Sequence, residues 1–94
     1  MSVLIVSEWA PGAGMSAESY WRLTDDMDLR ENLPEGCEYH MSGSSDEGGA
    51  ILSEVWTSQE AFQTFLENKL GPASAAAGVP GPTKVSVLPL IRHL

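Results

Sequence analysis

The stretch "EVWTSQEAF", Glu54–Phe62, decides the fold because it joins the end of a strand to the start of a helix. β-Forming residues run up to Trp56. Thr57 and Glu60 have the spacing of a capping box, in which the hydroxyl and the carboxylate each cap a backbone amide of the first turn. Apolar side chains follow at helical spacing: Ala61, Phe62, Phe65, Leu66 and Leu70. The segment therefore predicts a strand followed directly by a helix.

The sequence on either side of this stretch predicts a hairpin before it and a helix end after it. Cys37–Ser42 and Ala50–Trp56 are strand candidates, and the Gly- and Ser-rich segment between them is typical of a hairpin loop. After the helix, Gly71 and Pro72 predict an interruption. A short Ala-rich turn then ends at Gly78, a candidate left-handed cap.

The remaining elements complete a ferredoxin-like pattern. Val3–Trp9 predicts the first strand, and Val85–Leu88 predicts the last. Between the first and second strands, Ser16 is a candidate N-cap for an amphipathic helix, whose inner stripe consists of Tyr20, Leu23, Thr24 and Met27. The order β-α-β-β-α-β predicts a single α+β domain over residues 1–94, with both helices on one face of a four-stranded antiparallel sheet.

The other face of that sheet predicts a homodimer. Val3–Val6 is apolar at every position, so the first strand has apolar side chains on both faces. Two helices cover one face only, and a bare apolar face on so small a sheet calls for a partner. We therefore expect two copies to pack face to face as a dimeric α/β barrel.

Charge and cysteine content exclude several classes of function. The chain has 94 residues, a net charge of −8 and only five Lys or Arg, so nucleic acid and anionic membranes are poor partners. The lone Cys37 excludes an intrachain disulfide and fits a reducing cytosol, where we expect a small buried thiol. Neither a signal peptide nor a membrane span is indicated, which predicts a cytoplasmic protein. The two histidines have no carboxylate at ligand spacing, so no metal is expected.

The segment "SEVWTSQEAFQTFLENKLGPASAAAGVPGP", with "YHMSG" before it and "SVLP" after it, resembles small actinobacterial proteins of the antibiotic-biosynthesis-monooxygenase-like, dimeric α/β-barrel superfamily. The resemblance spans Val3 to Pro89. It implies a small barrel that encloses a metabolite, and relatives of this kind include cofactor-free oxygenases of aromatic polyketides, haem-degrading enzymes, isomerases and cyclases.

The catalytic residues of several relatives have no match in this chain. Haem-degrading relatives carry a histidine on the second helix, and Thr57–Leu70 contains none. The first strand also lacks the asparagine of those enzymes and of some oxygenases. Many relatives end with Pro-x-His, whereas here the histidine is delayed to His93. The resemblance therefore implies no haem, and we expect no cofactor.

The residues themselves indicate one candidate site around His40. A hairpin folded about Asp46 pairs His40 with Leu52 and Glu38 with Glu54, and strand alternation then places Glu38 on the same face as His40. Glu38 would orient the imidazole and raise its basicity. The alternative for His40 is a structural strand histidine bonded to backbone, and for Glu38 an edge-strand charge.

Aromatic residues surround this site in the predicted topology. Trp9, Tyr20, Trp21 and Met41 fall at the same end of the sheet as His40 and would hold a planar hydrophobic ligand. Trp56 falls at the opposite end. It is a candidate ligand contact, but plugging the core or the dimer interface is the favoured interpretation.

Two functions follow from these residues. The first is a cofactor-independent enzyme that oxygenates, isomerises or cyclises an aromatic or polyketide-like metabolite, with His40 as proton acceptor. The second is a non-catalytic module of the same fold that binds a small molecule or only pairs chains.

Overall fold

The structure is a computed structural model, and it describes residues 2–29, 32–44 and 48–91. The strands are β1 (Val3–Trp9), β2 (Cys37–Ser44), β3 (Ala50–Trp56) and β4 (Lys84–Pro89). The helices are α1 (Ala17–Asp26), α2 (Gln59–Phe65) and α3 (Gly71–Ala77), with a π-helical segment, Leu66–Leu70, between α2 and α3. The predicted bounds of β1 and β3 are confirmed. Within the described residues, no helix has the length and apolar character needed to cross a bilayer.

The four strands form one antiparallel sheet in the order β2-β3-β1-β4. The two central strands, β1 and β3, pair in register from Val3 opposite Trp56 to Trp9 opposite Ala50. This strand order and the helices packed on one side of the sheet confirm the predicted ferredoxin-like α+β fold.

Alternation along the strands gives the sheet two different faces. The face under the helices, called the covered face, carries Ile5, Ser7, Trp9, Leu52, Glu54 and Trp56. The opposite face, called the open face, carries Leu4, Val6, Tyr39, Met41, Ile51 and Leu88. Ile51 and Met41 are 52% and 56% exposed, so in a single chain the open face is an apolar surface in contact with water.

The helix α1 begins as the sequence predicts. The Ser16 hydroxyl accepts a hydrogen bond from the Ser19 amide at 3.1 Å, which satisfies one of the free amides of the first turn. Leu23 on the inner stripe is buried, and Tyr20, one turn earlier, is half-buried against the sheet. The helix therefore places the Tyr20 side chain at the covered face.

The predicted cap of α2 is wrong by one residue. Ser58, and not Thr57, is the N-cap, and its hydroxyl accepts from the Ala61 amide at 3.1 Å. Thr57 still belongs to the strand end, because its amide donates to the Gly36 carbonyl at 2.8 Å. The first free position for a cap is therefore the next residue.

The predicted interruption at Gly71 and Pro72 is also wrong, because helical backbone continues from α2 into α3. Pro72 has no N–H to give to the carbonyl four residues earlier. The chain accommodates this with the π-helical segment, in which the Gly71 amide bonds to the Leu66 carbonyl. The predicted left-handed cap at Gly78 is confirmed, with φ of 72°.

The core under the helices consists of two apolar clusters separated by polar side chains. One cluster contains Ile5, Trp56, Phe62 and Phe65, and the other contains Trp9, Met15 and Leu52. Along β3, Glu54 lies between Leu52 and Trp56 and is 4% exposed. A buried carboxylate in the middle of an apolar layer is costly unless it has partners, so Glu54 is expected to have one.

Candidate functional site

A hydrogen-bonded chain of three side chains crosses the middle of the covered face. The Tyr20 hydroxyl is hydrogen-bonded to His40 Nε2, and His40 Nδ1 lies 3.2 Å from Glu54 Oε2. The Tyr20 and His40 rings are stacked, with centroids 6.0 Å apart and 19° between their planes. The helix α1 and the strands β2 and β3 contribute one residue each.

The register of the β2–β3 hairpin differs from the predicted one. His40 pairs with Glu54, not with Leu52, and Ser42 pairs with Leu52. The shift is an even number of residues, so His40 and Ser42 keep their predicted face while their neighbours change. The carboxylate beside His40 is therefore that of Glu54.

Glu38 does not contact His40, and the predicted pairing of these two residues is wrong. The ladder has an irregularity between Cys37 and Tyr39, where Glu38 is the extra residue of a β-bulge. The Glu38 side chain is exposed and accepts a hydrogen bond from the Ser2 hydroxyl at 2.8 Å. Sequence alternation alone could not place this bulge.

Burial determines the protonation state of Tyr20. Burial raises the pKa of the Tyr20 phenol well above its ordinary value, and the charge of Glu54 raises it further, so Tyr20 is a neutral proton donor. An ionised Glu54 can only accept, and therefore His40 Nδ1 carries the proton. His40 Nε2 is then the acceptor for the Tyr20 hydroxyl in the neutral imidazole.

Tyr20 connects this chain to a cavity of about 200 Å³. The cavity is lined by Trp9, Met15, Tyr20, Trp21, Ser42 and Leu52, among others. The Trp9 indole is held in place by its N–H, which donates to the Pro80 carbonyl at 2.9 Å. Trp21 is 61% exposed, so it forms an outer wall of the cavity. A cavity of about 150 Å³ holds one benzene ring, so this one fits a single ring or one end of a larger ligand.

The structure brings some of the predicted site residues together and separates others. Trp9, Tyr20 and Trp21 line the same cavity. Met41 pairs with Ser53 on the open face, on the other side of the sheet from His40. Trp56 is 0% exposed and packs against Phe62 and Phe65, which supports the core interpretation. His93 lies outside the described residues.

Glu54 lies on the predicted face of the sheet, but the predicted pairing of Glu54 with Glu38 is wrong, because Glu54 pairs with His40. A signal for its role is present in the sequence of β3, "AILSEVW", where an acid occupies an inward position between Leu52 and Trp56. An acid at an inward position of a central strand indicates a buried partner.

Comparison with solved structures gives matches over nearly the whole chain. Rv0793 from Mycobacterium tuberculosis is 21% identical, with a TM-score of 0.67 over 99% of this chain and 98% of that one. A candidate antibiotic biosynthesis monooxygenase from Caulobacter crescentus CB15 is 18% identical, with a TM-score of 0.70 over 97% and 91%. SnoaB, a cofactor-independent oxygenase from Streptomyces nogalater solved as a point mutant, is 14% identical, with a TM-score of 0.69 over 99% and 96%.

At these identities the matches establish the fold and not the chemistry. No protein-family model matches the sequence, and no curated protein matches it. The structural matches nevertheless include the kinds of protein that the sequence resembles. The chain therefore has the fold of the antibiotic-biosynthesis-monooxygenase-like proteins.

Proposed function

We propose that the protein is a small cofactor-independent enzyme that acts on an aromatic or polyketide-like metabolite by moving a proton in the cavity beside Tyr20. The observation that carries this proposal is the hydrogen-bonded chain from Tyr20 through His40 to Glu54, which ends at the cavity. The likeness in fold to a cofactor-independent oxygenase supports it.

The geometry supports a proton relay in which Tyr20 is the group that contacts the substrate. Because burial raises the pKa of Tyr20, a free tyrosinate is scarce at neutral pH. The substrate therefore gives its proton to the Tyr20 oxygen as the hydroxyl proton of Tyr20 passes to His40 Nε2. The carboxylate of Glu54 then stabilises the imidazolium, as the third member of catalytic triads does.

The substrate class follows from what such a relay can do. A metabolite with an acidic hydroxyl or an acidic C–H loses a proton and becomes an enolate or phenolate. Return of the proton to a different carbon gives isomerisation or cyclisation. Alternatively, the carbanion reduces O₂: a CH₂ group is converted to C=O, and the second oxygen atom leaves as water. Neither route needs a metal or an organic cofactor from the protein.

A substrate panel with oxygen uptake and mass spectrometry tests the proposal. The panel runs from single-ring 1,3-diketones and resorcinols to hydroxyanthrones, because the cavity holds about one ring and Trp21 stands at its outer side. For any compound turned over, His40→Ala and Tyr20→Phe should each lower kcat by at least about 100-fold. Glu38→Gln is the matched control and should keep the wild-type rate. Full activity in the His40 variant would refute the relay.

A second candidate function is a binding module of the same fold without catalysis. It is favoured by one observation: both ring nitrogens of His40 already have partners, Tyr20 and Glu54, so the chain could serve only to satisfy a buried carboxylate. In that case a compound from the panel would bind in the cavity, shown by tryptophan fluorescence, and would be recovered unchanged.

The homodimer and the cytoplasmic location are part of the same proposal. The open face presents Leu4, Val6, Met41, Ile51 and Leu88 on one flat side of a small sheet, and a second copy presents an apolar surface of the same shape. Sheet-on-sheet packing of two copies buries both. The single cysteine is suited to the reducing cytoplasm.

A further inference from the structure

Three side chains on the covered face have the composition of a transition-metal site. Cys37, His40 and Glu54 each offer one ligand atom, and these atoms all lie within 4.8 Å of one another. We propose that this cluster binds one divalent cation of borderline softness, with Zn²⁺ as the best fit. The inference concerns metal binding by the protein alone, so it does not depend on the proposed function.

The β-bulge at Glu38 creates the cluster. In a regular strand, residues three positions apart point to opposite faces. Here Cys37 pairs with Trp56 and His40 pairs with Glu54, so both side chains of β2 belong to the covered face. Cys37 is half-buried and packs against the cluster that contains Trp56. In a regular strand with this three-residue spacing, the thiol and the imidazole could not serve the same ion.

Glu54 provides an independent sign of an absent ligand. Its side chain is 4% exposed, and Oε1 has no hydrogen-bond partner within the part of the chain that the structure describes. Oε2 is the atom bonded to His40. Buried carboxylate oxygens are nearly always satisfied, by protein, by water or by a cation. A cation held between Cys37, His40 and Glu54 would supply the missing partner.

The ligand types and their spacing select the ion. Zn²⁺ takes thiolate, imidazole nitrogen and carboxylate oxygen, at about 2.0–2.3 Å each. At these bond lengths, neighbouring ligand atoms of a tetrahedral ion are about 3.3–3.6 Å apart, and His40 Nδ1 already lies 3.2 Å from Glu54 Oε2. Ca²⁺ and Mg²⁺ prefer oxygen ligands alone, so the thiol and imidazole select against them. Three protein ligands leave one position open for water or a small ligand.

Metal binding and the hydrogen-bonded chain use the same atom of His40. In the metal-free protein the Nδ1–H donates a hydrogen bond to Glu54, whereas in the metal-bound form Nδ1 would give its lone pair to the ion. The thiol proton of Cys37 would also be released to solvent. Affinity should therefore rise with pH, and a bound ion should inhibit any reaction that needs His40 to accept a proton.

Cobalt titration of the metal-stripped full chain tests the proposal directly. Co²⁺ should bind at one ion per chain and give a near-ultraviolet thiolate-to-cobalt charge-transfer band that Zn²⁺ abolishes. Cys37→Ser should remove the band, and Cys37→Ser and Glu54→Gln should each weaken Zn²⁺ binding by at least about tenfold in competition with a chromophoric chelator. Glu38→Gln and His93→Ala are the matched controls and should bind as the wild type does.

A variant-free measurement covers the case in which a substitution prevents folding. In the wild-type chain, stoichiometric Zn²⁺ should protect Cys37 from alkylation by iodoacetamide, and an excess of Mg²⁺ should not. Absence of both the charge-transfer band and the protection would overturn the proposal. Loss of binding in His93→Ala with full binding in Cys37→Ser would also overturn it, because the ion would then lie elsewhere.

Discussion

Glu54 lies directly opposite His40 in the β2–β3 ladder, with its Oε2 3.2 Å from His40 Nδ1. The contact joins a buried acid on a central strand to a half-buried base on an edge strand. This pair of side chains separates the two apolar clusters of the core. The proposed proton relay and the proposed metal site both depend on it.

The tautomer of His40 is the most direct prediction from this contact. In metal-free protein at neutral pH, we expect the proton on Nδ1 and none on Nε2, since Glu54 accepts and Tyr20 donates. Long-range ¹H–¹⁵N NMR correlations of the imidazole measure this. The spectrum of His93→Ala assigns the signals to His40. A proton found on Nε2 would contradict the described direction of the hydrogen bonds.

The Cys37 thiol should become reactive at a higher pH than an ordinary cysteine does. Burial, and then the charge of Glu54, raise the pKa of the thiol from its ordinary 9.0 to about 11. Folding therefore favours the protonated thiol: its contribution to the free energy of unfolding is complete below pH 9.0 and is lost as pH rises through about 11. Alkylation of the native, metal-free chain should accelerate with a midpoint near pH 11. Alkylation of the unfolded chain in urea should accelerate with a midpoint near pH 9.0.

Substitution of Trp56 and of Trp21 should distinguish a core residue from a residue of the cavity wall by the loss of stability. Trp56→Ala should lower the free energy of unfolding by about 3–5 kcal/mol, because it leaves a hole between Phe62 and Phe65. Trp21→Ala should change it by no more than about 0.5 kcal/mol, since that side chain is 61% exposed. Urea denaturation measures both. A small loss for Trp56 would show that the core is not built around this residue.

Two glycines form a matched pair for testing the packing of α2 on the hairpin. Gly36 and Gly12 have φ of 90° and 86°, so alanine is strained at both. At Gly36 an added Cβ would also lie 2.7 Å from the Ala61 Cβ, whereas at Gly12 nothing lies within 4 Å. Gly36→Ala should therefore cost about 1–3 kcal/mol more than Gly12→Ala. Equal losses of stability in the two variants would mean that α2 moves easily to make room for the added Cβ at Gly36.

The sequence predicted the elements and their order well because these depend on local patterns. The continuous apolar run at the start of Val3–Trp9 and the hydroxyl at Ser16 are sufficient signals on their own. The register of β2 against β3 was not predictable in the same way, because the loop composition does not fix which residues pair across it. Ser44 pairs with Ala50, two residues beyond the partner that a hairpin folded about Asp46 would give it, and the partner of His40 was missed for that reason.

The continuation of the second helical region was missed for a different reason. Gly71 and Pro72 are ordinary helix breakers, and the π-helical segment that accommodates them is a backbone solution with no side-chain signature. By contrast, the core position of Trp56 could be predicted from the size of its side chain and its place at the end of a strand.

A charged side chain introduced on the open face should dissociate the proposed dimer into monomers. Ile51→Glu places a carboxylate on the open face, so light scattering should show a monomer where the wild type shows a dimer. Gln63→Glu, on the exposed side of α2, adds the same charge and should leave the dimer intact. A wild-type chain that is already monomeric at micromolar concentration would refute the face-to-face barrel.

The bulge in β2 also determines where this strand can be shortened. Cys37 and Tyr39 pair with Trp56 and Val55, which are consecutive, so excision of Glu38 would leave every remaining pair in place. Removal of a residue further along the strand, such as Met41, would instead reverse the orientation of one whole segment relative to the other. Glu38 is thus a position of this strand at which a natural or engineered deletion would spare its architecture.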